Sequence, residues 1–206
     1  MTNKDFSTLA QRLLPNLPGL AIKSPLMFAA PVGHTLRGIC FESHSYETKL
    51  FYVWVFLQPL CVPTKYLGFS LGKRIETVAG GPWNADAPSL LRELSAALRS
   101  QALPFLSHID SLHNVAEAAS SLKSKGPYVQ QAIAYVLARA GDVNRAAAEL
   151  GQLTGLLDAK VPWQREMAER AELLKAKLVA NPVDAQSQLE GWENDTAKNL
   201  GLESFR

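Results

Sequence analysis

The sequence predicts an α+β protein: a small antiparallel sheet of three to five strands, covered by helices and followed by a C-terminal helical region. Three observations lead there. Residues 36–74 hold three β-rich runs, centred on Ile39, Val53 and Phe69. Nearly everything after Pro88 carries helical periodicity with clear start signals. A chain of 206 residues buries roughly 70% of its unfolded surface on folding and needs no covalent staples.

The first element is a helix. Phe6, Leu9, Ala10 and Leu13 fall at helical spacing, and Pro15, Pro18 and Gly19 end the pattern because neither residue type continues a helix well. Leu26 to Ala30 reads as a short strand closed by Pro31 and Gly33. The next strand spans about Thr35 to Ser43, and a turn through Ser45 to Thr48 leads into Leu50 to Leu57. Both faces of that run are apolar, as in a central strand. Pro59 and Pro63 then mark a connection or an edge, since proline removes a ladder donor. Tyr66 to Leu71 alternates again, with Leu67, Phe69 and Leu71 facing one way. Nine of the 17 aromatic residues lie between Phe41 and Trp83, so the heaviest apolar side chains are concentrated in the sheet layer.

Gly80 and Gly81 mark the change to helix. Leu90, Leu94, Ala97 and Leu98 form a stripe behind Pro88, with Asp86 as the expected N-cap. Five further starts follow at Asp110-Ser111, Gly126-Pro127, Gly141-Asp142, Val161-Pro162 and Asn181-Pro182. The helix after Pro162 repeats Trp163, Met167, Ala171, Leu174 and Leu178 on one face, and the last presents Val183, Leu189, Trp192, Thr196 and Leu200, with Trp192 as its anchor. The organisation expected is an α+β domain over 1–125 and a helical region over 126–206, as two domains or packed as one unit.

Composition narrows the function classes. Net charge is +2; residues 1–85 carry eight Lys/Arg against four Asp/Glu, and 86–206 carry thirteen against fifteen. Neither half is the dense basic face that phosphate contacts require, so nucleic acid is a disfavoured partner. The longest uninterrupted apolar run, Leu50 to Leu57, is far short of the ~20 residues that cross a bilayer. No membrane partner is expected. Two cysteines in apolar runs, Cys40 and Cys61, read as buried thiols in a reducing compartment, which places the protein in the cytoplasm.

Two resemblances add to this reading. Tyr135 to Leu150, with small residues before Gly141-Asp142 and alanines and Leu150 after it, resembles the turn of a tetratricopeptide unit. In that family small residues let paired helices approach closely, and stacked pairs form a concave peptide-binding face. One unit matches here, and stable arrays need about three, so the resemblance implies helix-pair geometry and assigns no binding residues. The front part, with Leu36-Arg37-Gly38, the aromatic strand, Gly72-Lys73-Arg74 and Leu103 to Leu106, is similar in layout to bacterial α+β proteins that carry no assigned activity.

Three constellations suggest chemistry. Gly68-Phe69-Ser70-Leu71-Gly72 satisfies the nucleophile-elbow pattern and so resembles the α/β-hydrolases, in which a strained strand-to-helix turn lifts the serine above the sheet. On that reading Ser70 is the nucleophile, His108 the base and Asp110 its orienting acid, with His113 and Asp86 as further nominees. The serine lies in an alternating run with no following helix pattern of adequate length, which favours a strand whose glycines admit a close neighbour. Cys40, Glu42 and His44 alternate onto one strand face and are all competent zinc ligands, with His34 as a possible fourth. Residues two apart on a strand stand roughly 7 Å apart, too far to converge without curvature. Lys65, Lys73 and Arg74 beside Tyr66 and Phe69 mix cations and aromatics as single-strand binders do, but three cations are few. No cofactor fingerprint is present: Gly80-Gly81 lacks a phosphate-loop lysine. The function this points to is a non-catalytic protein–protein interaction module, with hydrolysis at Ser70 as the alternative and weak nucleic-acid binding as the second.

Overall fold

Asn3–Leu13 forms helix α1, and both of its ends follow from sequence. Thr2 caps the start: its hydroxyl accepts from the Asp5 N–H at 3.3 Å, and the Asp5 carboxylate accepts from the Thr2 N–H at 2.7 Å, two otherwise orphaned donors satisfied reciprocally. The Thr2 N–H and, at 2.9 Å, the Thr2 hydroxyl both donate to the Asp5 carboxylate and hold its pKa below the ordinary value. Pro15 closes the helix into one 3-10 turn. Phe6, Leu9, Ala10 and Leu13 are buried as their spacing requires. The structure, a computed structural model, describes residues 1–122 and 125–206.

Two compact units make up the chain. One comprises Met1–Leu57, Gly72–Ile109 and Phe205–Arg206, the other Gln58–Leu71 and Asp110–Ser204.

The first unit is built on an antiparallel sheet. Strands β1 (Leu20–Lys23), β2 (Leu26–Ala29), β3 (Thr35–Ser43), β4 (Leu50–Pro59) and β5 (Gly72–Arg74) lie side by side in that order, and β6 (Trp83–Asn84) also pairs with β4. β5 takes the stretch of β4 opposite Trp54 to Phe56, and β6 the stretch opposite Leu50 and Phe51, so two short strands share the edge of β4 that β3 leaves. One face of the sheet is apolar and covered. Met27, Ile39, Phe41, Phe51, Val53 and Val55 pack with Phe6, Leu9 and Leu13 of α1 and with Leu94, Leu98, Ala102 and Leu106. Phe6 stacks on Phe41 at 5.7 Å and meets Phe51 edge-on at 5.9 Å, geometries worth about 0.5–1.5 kcal/mol each beyond area burial.

Gly38 and Gly72 are required by close strand contact. A Cβ on Gly72 would lie 2.7 Å from the Val55 carbonyl oxygen, and one on Gly38 would overlap the Met27 carbonyl. The third expected strand is displaced. Tyr66 to Leu71 forms no strand, and pairing begins only at Gly72. The reason is local competition: the Thr64 hydroxyl accepts from the Tyr66 N–H at 3.1 Å and Gln58 Oε1 accepts from the Gly68 N–H at 3.1 Å, which satisfies backbone donors a ladder would otherwise use.

Helix α2 (Leu90–Ala97) passes through a wider π turn at Leu98–Ala102 into α3 (Leu103–Ser107). Pro104 sits in the first turn of α3; a regular α-helix would clash with its ring, and the wider turn relieves that. The N-cap position of α2 is Ser89 and not Asp86. Asp86 instead forms an ion pair with Lys49. Arg37 donates to the carbonyls of Leu106 (3.1 Å) and Ile109, a cation placed on the orphan acceptors at a helix end.

The second unit is helical: α4 (Leu112–Ser120), α5 (Pro127–Arg139), α6 (Val143–Gly155), α7 (Pro162–Ala180) and α8 (Pro182–Asn199). Each begins at the punctuation read from sequence, with Ser111, Gly126, Asp142, Val161 and Asn181 as N-caps. α5 and α6 form the tight hairpin expected around Gly141, whose φ of +83° suits glycine. α5 packs on α4, α6 and α8, while α6 packs on α7 and α7 on α8, closing a ring of four helices. The unit starts at Asp110 and takes in Gln58–Leu71, where the sequence suggested a boundary at 126. Two contacts explain this: α4 packs on α5, and α8 holds the 58–71 segment through Thr196 Oγ1 to the Val62 carbonyl (3.4 Å) and Asn199 Nδ2 to the Thr64 carbonyl (3.0 Å).

Candidate functional site

Helix α5 is buried from Val129 through Ala138, and a helix enclosed all round is expected to be uniformly apolar. It is not. Gln131, Tyr135 and Arg139 stand four residues apart and so share one face, making a polar stripe inside the helical unit.

At one end the stripe is satisfied. Arg139 Nε donates to Glu193 Oε1 at 3.1 Å and its Nη2 to Oε2 at 3.4 Å, while Nη1 donates to Gln186 Oε1 at 3.0 Å. Gln186 in turn donates to the Ala138 carbonyl at 2.6 Å. Glu193 is 1% exposed, so this is a bidentate pair removed from water, the geometry that compensates desolvation best. In the middle, the Tyr135 ring stacks on Trp192 of α8 at 5.4 Å and 13°, which is the anchoring role the sequence assigns to Trp192. Burial pushes the Tyr135 pKa up to about 12. Gln130, on the next face, donates to the Glu149 side chain and to its carbonyl at 3.2 Å. Beside the pair, Cys61 is fully buried and its pKa is raised by burial and by Glu193, with Arg139 opposing.

Gln131 Nε2 and Tyr135 Oη of the stripe, and on α7 Arg170 Nε, are buried atoms with no partner at full hydrogen-bond geometry among the described residues, and the Gln131 side chain opposes the rise in the Tyr135 pKa. The stripe was legible as a four-residue recurrence of polar side chains in an apolar helix, a signal that end-cap reading passes over.

The residues singled out from sequence occupy other places. Ser70 is exposed in a turn that leads into β5, and the next helix begins only at Leu90, so the strand-to-helix frame of a nucleophile elbow is not formed there. Asp110 accepts from Asn114 Nδ2 at 2.7 Å at the start of α4. His108, exposed, is the C-cap of α3. Ser70 and Asp110 belong to the helical unit, His108 to the sheet unit.

Cys40 and Glu42 alternate along β3, His44 lies just past its end, and each is engaged. Burial, and then Glu42, raise the Cys40 pKa to about 12. Glu42 accepts from the Trp54 indole N–H at 2.7 Å, and His44 Nδ1 accepts from the N–H groups of Tyr46 and Glu47 at 3.3 and 3.2 Å. Among the described residues no cluster of three His, Cys, Asp or Glu could hold a metal ion. His34 is exposed ahead of β3. Arg74 lies over the rings of Tyr52 (4.0 Å) and Trp54 (4.8 Å), and Lys73 over Phe105 (5.8 Å), so these two cations are held on aromatics of their own unit. Tyr66 is 80% exposed.

The helical unit also carries an aromatic pair at its surface. Tyr128, in the first turn of α5, stacks on Trp163, in the first turn of α7, at 5.1 Å and 8°, while the two residues are 53% and 39% exposed. Leu156, 50% exposed, lies at the C-cap of α6 just before α7. Trp163 was expected on the buried stripe of α7; Met167, Ala171, Leu174 and Leu178 are buried there and Trp163 is not.

Fold and site define the protein as an α+β chain whose second unit is a ring of helices with an apolar core crossed by a polar stripe on α5. No protein-family model, no curated protein and no solved structure matches it. Among the described residues no helix is long and apolar enough to cross a membrane.

Proposed function

We propose that the chain is a non-catalytic protein-binding module of the cytoplasm, acting through its helical unit. The observation that carries this reading is the stacked Tyr128–Trp163 pair, large apolar area left partly in water at the starts of two helices. Aromatic side chains dominate the energetics of protein interfaces, and an exposed apolar cluster of this kind is a mark of an interaction surface. The engagement of Glu42, His44 and Arg74 within the sheet unit, and the protonated state of both thiols, fit a scaffold in which reactive groups are absorbed into structure.

The test is affinity capture from the native host with the wild-type chain and with Tyr128→Ser/Trp163→Ser. The reading predicts a protein companion in stoichiometric amount on the wild type and its loss on the double variant. Recovery of the wild-type bait alone under gentle conditions would overturn it.

A further inference from the structure

The chemistry of what docks on the Tyr128–Trp163 pair can be named, on the reading of that pair as a protein-binding surface. The residues leading into α5 and α7 repeat one order: Lys125-Gly126-Pro127-Tyr128 and Lys160-Val161-Pro162-Trp163. In each helix the proline takes the first position and the aromatic residue the next. The ring stack at 5.1 Å therefore sets the two helix starts side by side, each with a lysine just ahead of its N-cap. Both lysines are exposed, and among the described residues neither forms an ion pair. Arg165, also exposed, follows Trp163 in the same turn. The acids closest in sequence are turned to other groups: Asp158 accepts from the Lys160 backbone N–H at 2.9 Å, and Glu166 faces Arg170 at 3.9 Å.

Charge complementarity selects the occupant. Exposed Tyr and Trp supply the contact area on which affinity rests, while cations around such a patch repel a basic partner and favour an acidic one. Neither N-cap here provides a side-chain oxygen, so the partial positive charge of each helix start adds to the same field. We propose that the surface binds an acidic, extended segment of another protein, in which carboxylates flank one aromatic or leucine side chain. That apolar side chain packs on the rings, and the carboxylates meet Lys125 and Lys160.

Selection of a displayed random peptide library on the full chain tests this. The wild type should enrich peptides with Asp or Glu beside an aromatic residue or leucine, and Tyr128→Ser/Trp163→Ser should enrich none of them. Lys125→Glu/Lys160→Glu should weaken a synthetic enriched peptide by about tenfold or more, and added salt should weaken the wild-type complex in the same direction. Both lysines lie outside the core, so the reversed variant should melt with the wild type; if it does not, Lys125→Gln/Lys160→Gln gives a smaller loss of the same sign. Peptides that need both rings but show no acidic bias, or that bind the reversed variant equally well, would overturn the acidic partner and leave the binding surface standing. Enrichment of no ring-dependent peptide would overturn both readings, and a wild-type dimer in sedimentation that Trp163→Ser dissolves would assign the surface to a second copy of this chain instead.

Discussion

Arg139 and Glu193 face each other across α5 and α8 with two parallel N–H to oxygen contacts, at 3.1 and 3.4 Å, in a position where the acid is 1% exposed. Glu193→Ala leaves the guanidinium buried without its counter-charge and is expected to cost about 3–5 kcal/mol. Replacing both partners with apolar residues of similar volume should cost much less. Urea unfolding of the two variants at neutral pH measures the difference, and equal losses would show that the pair is not a coupled unit.

Gly38 supplies a second prediction, because β2 and β3 approach there until no side chain fits. Gly38→Ala would push a methyl group into the Met27 carbonyl and the Phe28 backbone, and overpacking of this kind costs about 1–3 kcal/mol. Denaturant midpoints report it. Gly33→Ala, where nothing lies within 4 Å, is the matched control and should leave the midpoint nearly unchanged.

The thiols make stability sensitive to alkali. Burial raises the Cys40 pKa from 9.0 to about 12. Above pH 9 the unfolded chain therefore loses a proton that the folded chain keeps, and the linkage sign makes stability fall as pH rises from about 9 toward 12. Cys40→Ala removes that contribution, so its stability should decline less steeply over the same window. Identical slopes for the two proteins would contradict a protonated, buried thiol.

Ser70 lies in an exposed turn running into a strand. An activity-based fluorophosphonate is expected to leave the folded protein unlabelled. Labelling of the wild type that Ser70→Ala abolishes would establish the hydrolase reading instead.

How much of this was legible in the sequence differs by region, for physical reasons. In the helical unit the starts were readable to the residue, since Ser111, Asp142 and Asn181 supply cap oxygens and Pro127, Pro162 and Pro182 tolerate only the first helical turn, whereas α2 starts at Ser89 and not at the expected Asp86. β3 spans the residues its alternation indicated. β1 was not seen, because all four of its residues are half-buried and no alternation marks them. β6 is two residues long and exists only through pairing with Leu50 and Phe51. Tyr66 to Leu71 had the alternation of a strand and lost it to a local Thr64 hydroxyl turn and to the side chain of Gln58 ten residues back, which strand alternation does not register. Of the candidate sites, Cys40 and Glu42 do alternate on β3 while His44 falls beyond its end, and which partners each would find depended on Trp54 and the turn at Tyr46. The polar stripe of α5 needed a question that cap reading does not ask: why a helix buried all round holds Gln131 and Arg139.

The central claim is that the Tyr128–Trp163 surface meets another protein. A photo-crosslinking phenylalanine analogue placed at position 163, and as a control at Val78, which is fully exposed in the sheet unit, tests it inside the native cell. The account predicts one adduct of defined mass, containing a second protein, from position 163 and none from position 78. The same adduct pattern from both positions, or no adduct from position 163 while the protein remains folded, would contradict it.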